Sequence, residues 1–255
     1  VAAGPTIKRY NASKDLQFTL AKEAPGMMLA SELIVSKPID SEKAGDFFNV
    51  SIVDAFKSVA VFDFELHRIA TDFLAKYLVA GCNETSSSDD RSSFIVSDSK
   101  GGVYLMKVDG DRVVVESRMS FGEAVTGISR WKPIDLSIDH ENGIFDSAFC
   151  GTTARGSIVA FFTRVNPKLF NAMKKLQAAM EKFLIQNGEL SHADYRSIYS
   201  PAYREPYIEY VDANFVAGIL DFEEEDRNKI LADNGIDDFE AIHEFLGSLE
   251  EFNIQ

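Results

Sequence analysis

The stretch Ser157-Ile-Val-Ala-Phe-Phe-Thr163, followed after two residues by Asn166-Pro167-Lys-Leu-Phe-Asn-Ala-Met173-Lys-Lys-Leu176, divides this chain in two. Before it, apolar residues come in short runs between turn signals. After it, they recur every three or four positions. Asn166 suits a helix N-cap, and Pro167 the first helical position, where the missing N–H has no intrahelical partner anyway. Leu169, Met173, Leu176, Met180 and Phe183 then form one apolar stripe up to a stop at Asn187-Gly188, which predicts a long amphipathic helix.

Reading backward, runs rich in Val, Ile, Phe and Tyr predict strands at Thr6–Tyr10, Leu16–Leu20, Phe48–Val53, Ser58–Phe64, Tyr77–Ala80, Phe94–Ser97, Val103–Val108, Arg112–Arg118, Ile144–Cys150 and Ser157–Phe162. Ser99-Lys100-Gly101-Gly102 and Asp109-Gly110-Asp111 read as hairpin turns, and Gly151–Gly156 joins the last two strands. Ser36–Gly45 and the Ser-rich Asn83–Ser93 read as loops. Short antiparallel strands without an intervening long helix mean a sandwich, a barrel or a propeller. Reading forward, Ser191 and Asp194 resemble a capping box over a short helix through Ile198. Breaks follow at Ser200-Pro201 and Glu205-Pro206. Asp212 then caps a segment with Phe215 and Ile219, and further helices are expected over Glu223–Ala232 and from Phe239 onward. The expectation is a mainly β chain with C-terminal α structure: a β region at 1–165 and a helical region at 166–255.

The chain has 255 residues, 45% of them hydrophobic, enough for real cores. Its net charge of −14 is concentrated: from Ser200 onward there are 15 acidic residues and 3 basic ones. Such a tail repels phosphate backbones, so direct nucleic-acid binding by it is disfavoured; it reads as a solvated acidic face or a steering surface for a basic protein. No run reaches the length of a membrane span, and the opening Val1–Thr6 has no secretory signature. Cys82 and Cys150 match no metal or redox spacing, which favours small core residues in a reducing compartment.

No phosphate loop, nucleophile elbow or His-x-x-x-His pair is present. His67, His140, His192 and His243 lie far apart and read as surface or capping residues. Asp139-His140-Glu141 beside Asn142-Gly143 reads as a solvated turn. Glu223–Asp226 lacks calcium-loop spacing. Met27-Met28 and the methionines of the long helix read as core. These residues favour no enzyme, metal or cofactor.

The order of the pieces carries a resemblance. It runs through Val1–Tyr10, Val53–Phe62, Ile69–Phe73, Ser97–Tyr104, Met119–Val125, Cys150-Gly-Thr152 and Gly156–Val159. It continues through the Leu169–Phe183 helix, Asp194–Ser197 and Val211-Asp212 before Phe215. In this series the chain resembles the C-terminal part of the damage-specific DNA-binding protein large-subunit family. That family's relatives include heterochromatin ligase subunits, the largest cleavage and polyadenylation specificity factor subunit, and a splicing factor 3b subunit.

The resemblance implies the later blades of a seven-bladed propeller, third of three, followed by a helical domain. At roughly 40–45 residues a blade, 165 residues supply about four, with the remaining blades expected elsewhere in the parent protein. It also implies a non-enzymatic scaffold, nuclear and cytoplasmic. In the ubiquitin-ligase branch another propeller holds the cullin, and a cleft receives helical segments of substrate receptors. Carried over by position, this chain's share of the cleft is Leu29, Ser31, Ala55, Tyr77, Ala124, Thr126 and Thr153. The family's usual tryptophan stands here as Tyr77, its phenylalanine as Ala124 and its asparagine as Thr126, a loss of contact area and of an amide. The hydrophobic, acidic ending Leu249-Glu-Glu-Phe-Asn-Ile254 resembles the ligase branch, in DNA repair or heterochromatin. The alternative is a scaffold of pre-mRNA 3′-end processing or splicing.

Overall fold

A computed structural model describes residues 2–3, 5–36, 48–72, 74, 76–84, 93–131, 147–163, 165–197 and 208–250. The expected loops at 37–45 and 85–92, the Asp139-His140-Glu141 cluster, the breaks at Ser200-Pro201 and Glu205-Pro206, and the ending beyond Glu250 lie outside the described residues. The chain forms two compact units.

The first unit holds the strands. β1 (Ala2–Ala3), β2 (Thr6–Ala12) and β3 (Phe18–Pro25) make an antiparallel sheet. A four-stranded antiparallel meander comes next: β4 (Ala30–Ser36), β5 (Asn49–Asp54), β6 (Val59–Phe62) and β7 (Arg68–Thr71). A second meander repeats it: β8 (Leu78–Glu84), β9 (Ser93–Asp98), β10 (Gly102–Asp109) and β11 (Arg112–Ser120). The two meet along one edge through a single parallel pair, Thr71 with Arg112. β12 (Val125–Trp131), β13 (Ser147–Thr153) and β14 (Ile158–Thr163) form a last antiparallel sheet.

Successive sheets bury their faces against each other. Ile7, Ile52 and Phe62 fill the first of three cores. Ile34, Val53, Val61, Phe94 and Met106 fill the second. Ile95, Val103, Phe149 and Phe161 fill the third. Neighbouring residues on one strand, such as Ile52 and Val53 or Phe94 and Ile95, therefore serve different cores, because consecutive side chains point to opposite faces. This is why β5 and β9 are buried at every position and read as continuous runs. First strands lie side by side, β4 against β8 and β8 against β12, so the arrangement is propeller-like.

Four hairpins share one turn: Ser13–Gln17, Asp63–His67, Asp98–Gly102 and Thr153–Ser157. In each, the first side chain's oxygen accepts the N–H of the fifth residue, at 3.1, 2.8, 2.7 and 3.1 Å respectively. The fourth residue is left-handed: Leu16 at φ 57°, Leu66 at 59°, Gly101 at 90° and Gly156 at 89°. Gly101 is obligatory on two counts, since a Cβ there would also come within 2.9 Å of the Glu123 backbone.

The second unit holds α1 (Pro167–Gln186), α2 (His192–Ser197), α3 (Ala213–Ala217) with a 3-10 turn at Gly218–Asp221, α4 (Glu224–Asp233) and α5 (Phe239–Glu250). Asn166 caps α1 by accepting the N–H groups of Lys168 and Leu169 at 3.0 and 3.5 Å. The expected stripe faces inward, with Met173, Leu176 and Met180 buried. The capping box forms as expected: Ser191 Oγ accepts the Asp194 N–H at 3.2 Å.

The structure corrects several expectations. Strands β1, β4, β7 and β12 add to the expected set: β1 is two residues long and β7 four, β4 exposes Leu33 and Val35 on either side of buried Ile34, and β12 exposes Thr126 between buried Val125 and Ile128. Leu16 belongs to a turn, not to the start of β3. Met27 is buried, but Met28 is 57% exposed. His192 is neither a surface nor a capping residue; it is buried against Asp212. Cys82 packs against the third core as expected, though half-buried, and burial pushes its thiol above its ordinary value; Cys150 is half-buried as well. The break between the units falls between Phe162 and Thr163, and Ile208 returns to the first unit. There it exchanges backbone hydrogen bonds of 2.9 and 3.1 Å with Arg118.

Candidate functional site

The seven residues carried over from the resemblance gather at one end of the meanders, where β4, β8 and β12 begin and β5, β9 and β13 end. Backbone hydrogen bonds place them there. Asp54, fully buried at the end of β5, accepts the N–H groups of Leu29 (2.6 Å), Phe56 (2.8 Å) and Lys57 (2.8 Å). The Ala55 N–H donates to the Leu29 carbonyl at 2.9 Å. The start of β4 and the β5–β6 turn are thereby one rigid piece.

That piece continues into the second meander. Ser31 Oγ donates to the carbonyls of Val53 and Leu78, both at 3.2 Å. The Lys76 N–H donates to the Lys57 carbonyl at 2.6 Å, and the Ser99 N–H to the Tyr77 carbonyl at 3.1 Å. Tyr77 sits at φ 54°, a conformation an aromatic residue adopts only when its surroundings impose it. The cause is close by. Lys76 and Asp72 form a buried ion pair, Ser58 Oγ donates to the same Asp72 oxygen at 2.6 Å, and the Leu74 N–H donates to the other at 3.0 Å. The connection from β7 to β8 is thus clamped on both sides of the exposed Leu74, which leaves Tyr77 turned outward and 44% exposed.

The arc reaches the last sheet through Ser97 Oγ, which donates to the Val125 carbonyl at 2.6 Å. There the Ala154 N–H donates to the Ala124 carbonyl at 2.8 Å, and Thr126 Oγ1 to the Thr152 carbonyl at 3.2 Å. The seven residues do not contribute alike. Leu29 and Tyr77 expose large apolar surface, and Thr126 is exposed as well. Thr153 is buried and its hydroxyl accepts the Ser157 N–H, so it builds the turn rather than the surface. Ala55 and Ala124 contribute backbone.

Sequence reasoning missed Met28, Phe56 and Leu74, which join Leu29 and Tyr77 as exposed apolar groups of the arc. It also missed Lys57 and Lys100. The signal was the turn repeat itself: Phe56 and Lys57 follow Asp54, and Lys100 follows Asp98, at turn positions that the capping carboxylate holds outward. Lys100 Nζ lies 5.7 Å from the centroid of the Tyr77 ring.

The second unit has its own polar cluster, largely buried. Asp212 caps α3 and receives Arg196 in a two-point pairing, Nε and Nη2 each at 2.5 Å. His192 Nε2 lies 2.9 Å from Asp212 Oδ2 and 3.0 Å from the Tyr210 hydroxyl. Burial alone would raise the Asp212 carboxyl; the hydrogen bonds and charges of His192 and Arg196 outweigh it and hold the group well below the usual carboxylate range. The cluster joins α2 to α3. Among the described residues, no group of three His, Cys, Asp or Glu side chains is placed to hold a metal ion.

A family model, the CPSF A subunit region, matches residues 29–223. The chain belongs to this family. The CPSF A region begins at Leu29, the first residue of the arc, and ends at Glu223, just before α4, so it takes in both meanders, the last sheet and α1 to α3. No curated protein matches the chain. Membership in the CPSF A family points to a scaffold-type subunit.

Proposed function

We propose that the chain is the later part of a seven-bladed propeller with its helical domain, in a non-enzymatic scaffold that offers the Leu29–Tyr77 arc to helical segments of substrate receptors. In this reading the parent protein links those receptors to a cullin-RING ubiquitin ligase, through a cullin site on another propeller, and works in the nucleus and cytoplasm on DNA repair or heterochromatin. The supporting observation is the arc itself: apolar anchors exposed at one end of the two meanders, on backbone fixed by buried carboxylates. Helix-in-groove recognition uses such anchors.

A second reading, a scaffold of pre-mRNA cleavage and polyadenylation or of splicing, is supported by the description of the matched family. Affinity purification of the full-length protein, alongside a Leu29→Asp, Tyr77→Ala variant, separates the two. The ligase reading predicts cullin in both samples and receptors only with the unaltered protein. The processing reading predicts polyadenylation or splicing subunits lost from the variant, and cullin in neither. Retention of every partner by a folded variant would refute the arc as a binding site in both.

A further inference from the structure

We infer that the arc selects helical partners bearing carboxylates beside their apolar anchors, with Lys57 and Lys100 as the specificity-determining residues. This rests on the arc being a docking surface and adds what kind of helix it takes. Charge balance within the arc sets the preference. Its charged side chains among the described residues are Asp54, Lys57, Asp72, Lys76, Asp98, Lys100, Glu123 and Arg155. Asp54 and Asp98 are buried and committed to turn N–H groups, and Asp98 also accepts the Tyr104 hydroxyl at 2.7 Å. Asp72 and Lys76 are buried and neutralise each other. Glu123 is half-buried, and its Oε2 is shielded from solvent, with no donor among the described residues. Among the described residues, the exposed charges that remain are Lys57, Lys100 and, on the last sheet, Arg155.

Both lysines stand at the apolar anchors. Lys57 shares the Asp54 carboxylate with Leu29 and Phe56, and its carbonyl accepts the N–H of Lys76, the residue before Tyr77. Lys100 lies over the Tyr77 ring, whose negative face attracts it. An anchor seated on Leu29 and Tyr77 therefore lies beside residues that carry two cations. A carboxylate one helical turn away reaches an ammonium group there, and a lysine at the same place meets repulsion.

The test uses a stapled helical peptide with a leucine stripe, made in two versions with Glu or Lys flanking the stripe, and full-length protein, by fluorescence anisotropy. The Glu version should bind roughly five-fold tighter, the worth of two partly exposed ion pairs. The advantage should vanish at about 1 M salt, where the screening length falls to about 3 Å. Lys57→Ala, Lys100→Ala should bring the two versions to equal affinity, and Lys57→Glu, Lys100→Glu should reverse the order; both pairs are exposed, so the fold is kept. Equal binding of the two versions, lost in Leu29→Asp, Tyr77→Ala, would overturn the charge selection and leave the docking surface standing. Absence of binding by both versions would overturn the docking surface and this inference with it.

Discussion

The two units solve the same problem, a carboxylate in a dry place, in different ways. In the strand unit the buried acids sit at turns and bind mostly groups a few positions further along the chain: Asp98 takes N–H groups two and four residues on and a hydroxyl six residues on. In the helical unit the Asp212 carboxylate draws on Arg196 and His192, which lie 16 and 20 residues away. Local satisfaction can be repeated from sheet to sheet, and it leaves the turn's other residues free to face outward, which is how Lys57, Lys100 and Phe56 become available. Long-range satisfaction fixes how helices pack and uses up every group it recruits. A binding surface belongs with the first strategy.

The largest expected effect probes the helical unit's core. Leu176→Asp places an unpaired charge in the buried α1 stripe with Met173 and Met180 and should cost about 3 kcal/mol or more, while Lys175→Asp, exposed on the same turn, should cost well under about 1 kcal/mol in urea titrations. Equal costs would mean the stripe faces elsewhere.

Next comes the long-range acid. Asp212→Asn should cost about 3 kcal/mol, because Arg196 is left without its carboxylate in a largely buried site. The Asp212 carboxyl is held low in the folded state, against an unfolded value near about 3.9. Its contribution is therefore complete above about pH 4 and fades as pH falls further. The stability difference between wild type and Asp212→Asn should shrink on acidification from pH 5 toward pH 2; a constant difference would mean that the ion pair contributes nothing to stability.

Asp54→Ala tests the local strategy. Loss of the acceptor for three N–H groups should cost about 2 kcal/mol and loosen Leu29 and Lys57 together, seen as faster amide exchange at both. Loosening of only one would break the arc into independent pieces. The smallest effect has the opposite sign. Leu16 is exposed at φ 57°, so Leu16→Gly should stabilise by up to about 1 kcal/mol, whereas Leu66→Gly, at the same turn position but buried in a core, should destabilise.

The same contrast explains what was legible in the sequence. Asn166-Pro167, the α1 stripe and the Ser191–Asp194 box are local signals, and each appears in the structure as expected. The short first strands are harder. β4 buries Ile34 and Ser36 and exposes Ser31, Leu33 and Val35, so its run of apolar residues does not separate core from surface. His192 escapes a sequence reading because nothing within a turn of it announces Asp212, twenty residues on. Tyr77 could be placed by resemblance, but its outward posture depends on the buried Asp72–Lys76 pair and a positive φ, which no periodicity encodes.

Whether the arc, and not another face, receives partners is tested most directly by hydrogen–deuterium exchange of the full-length protein, free and with a co-purifying partner bound. New protection within this chain should concentrate at Leu29, Phe56, Tyr77, Ser99 and Ala124, with the Ser13–Gln17 and Asp63–His67 turns unchanged. Protection at those turns, or in the helical unit alone, with the arc unaltered would contradict the arc as the docking surface.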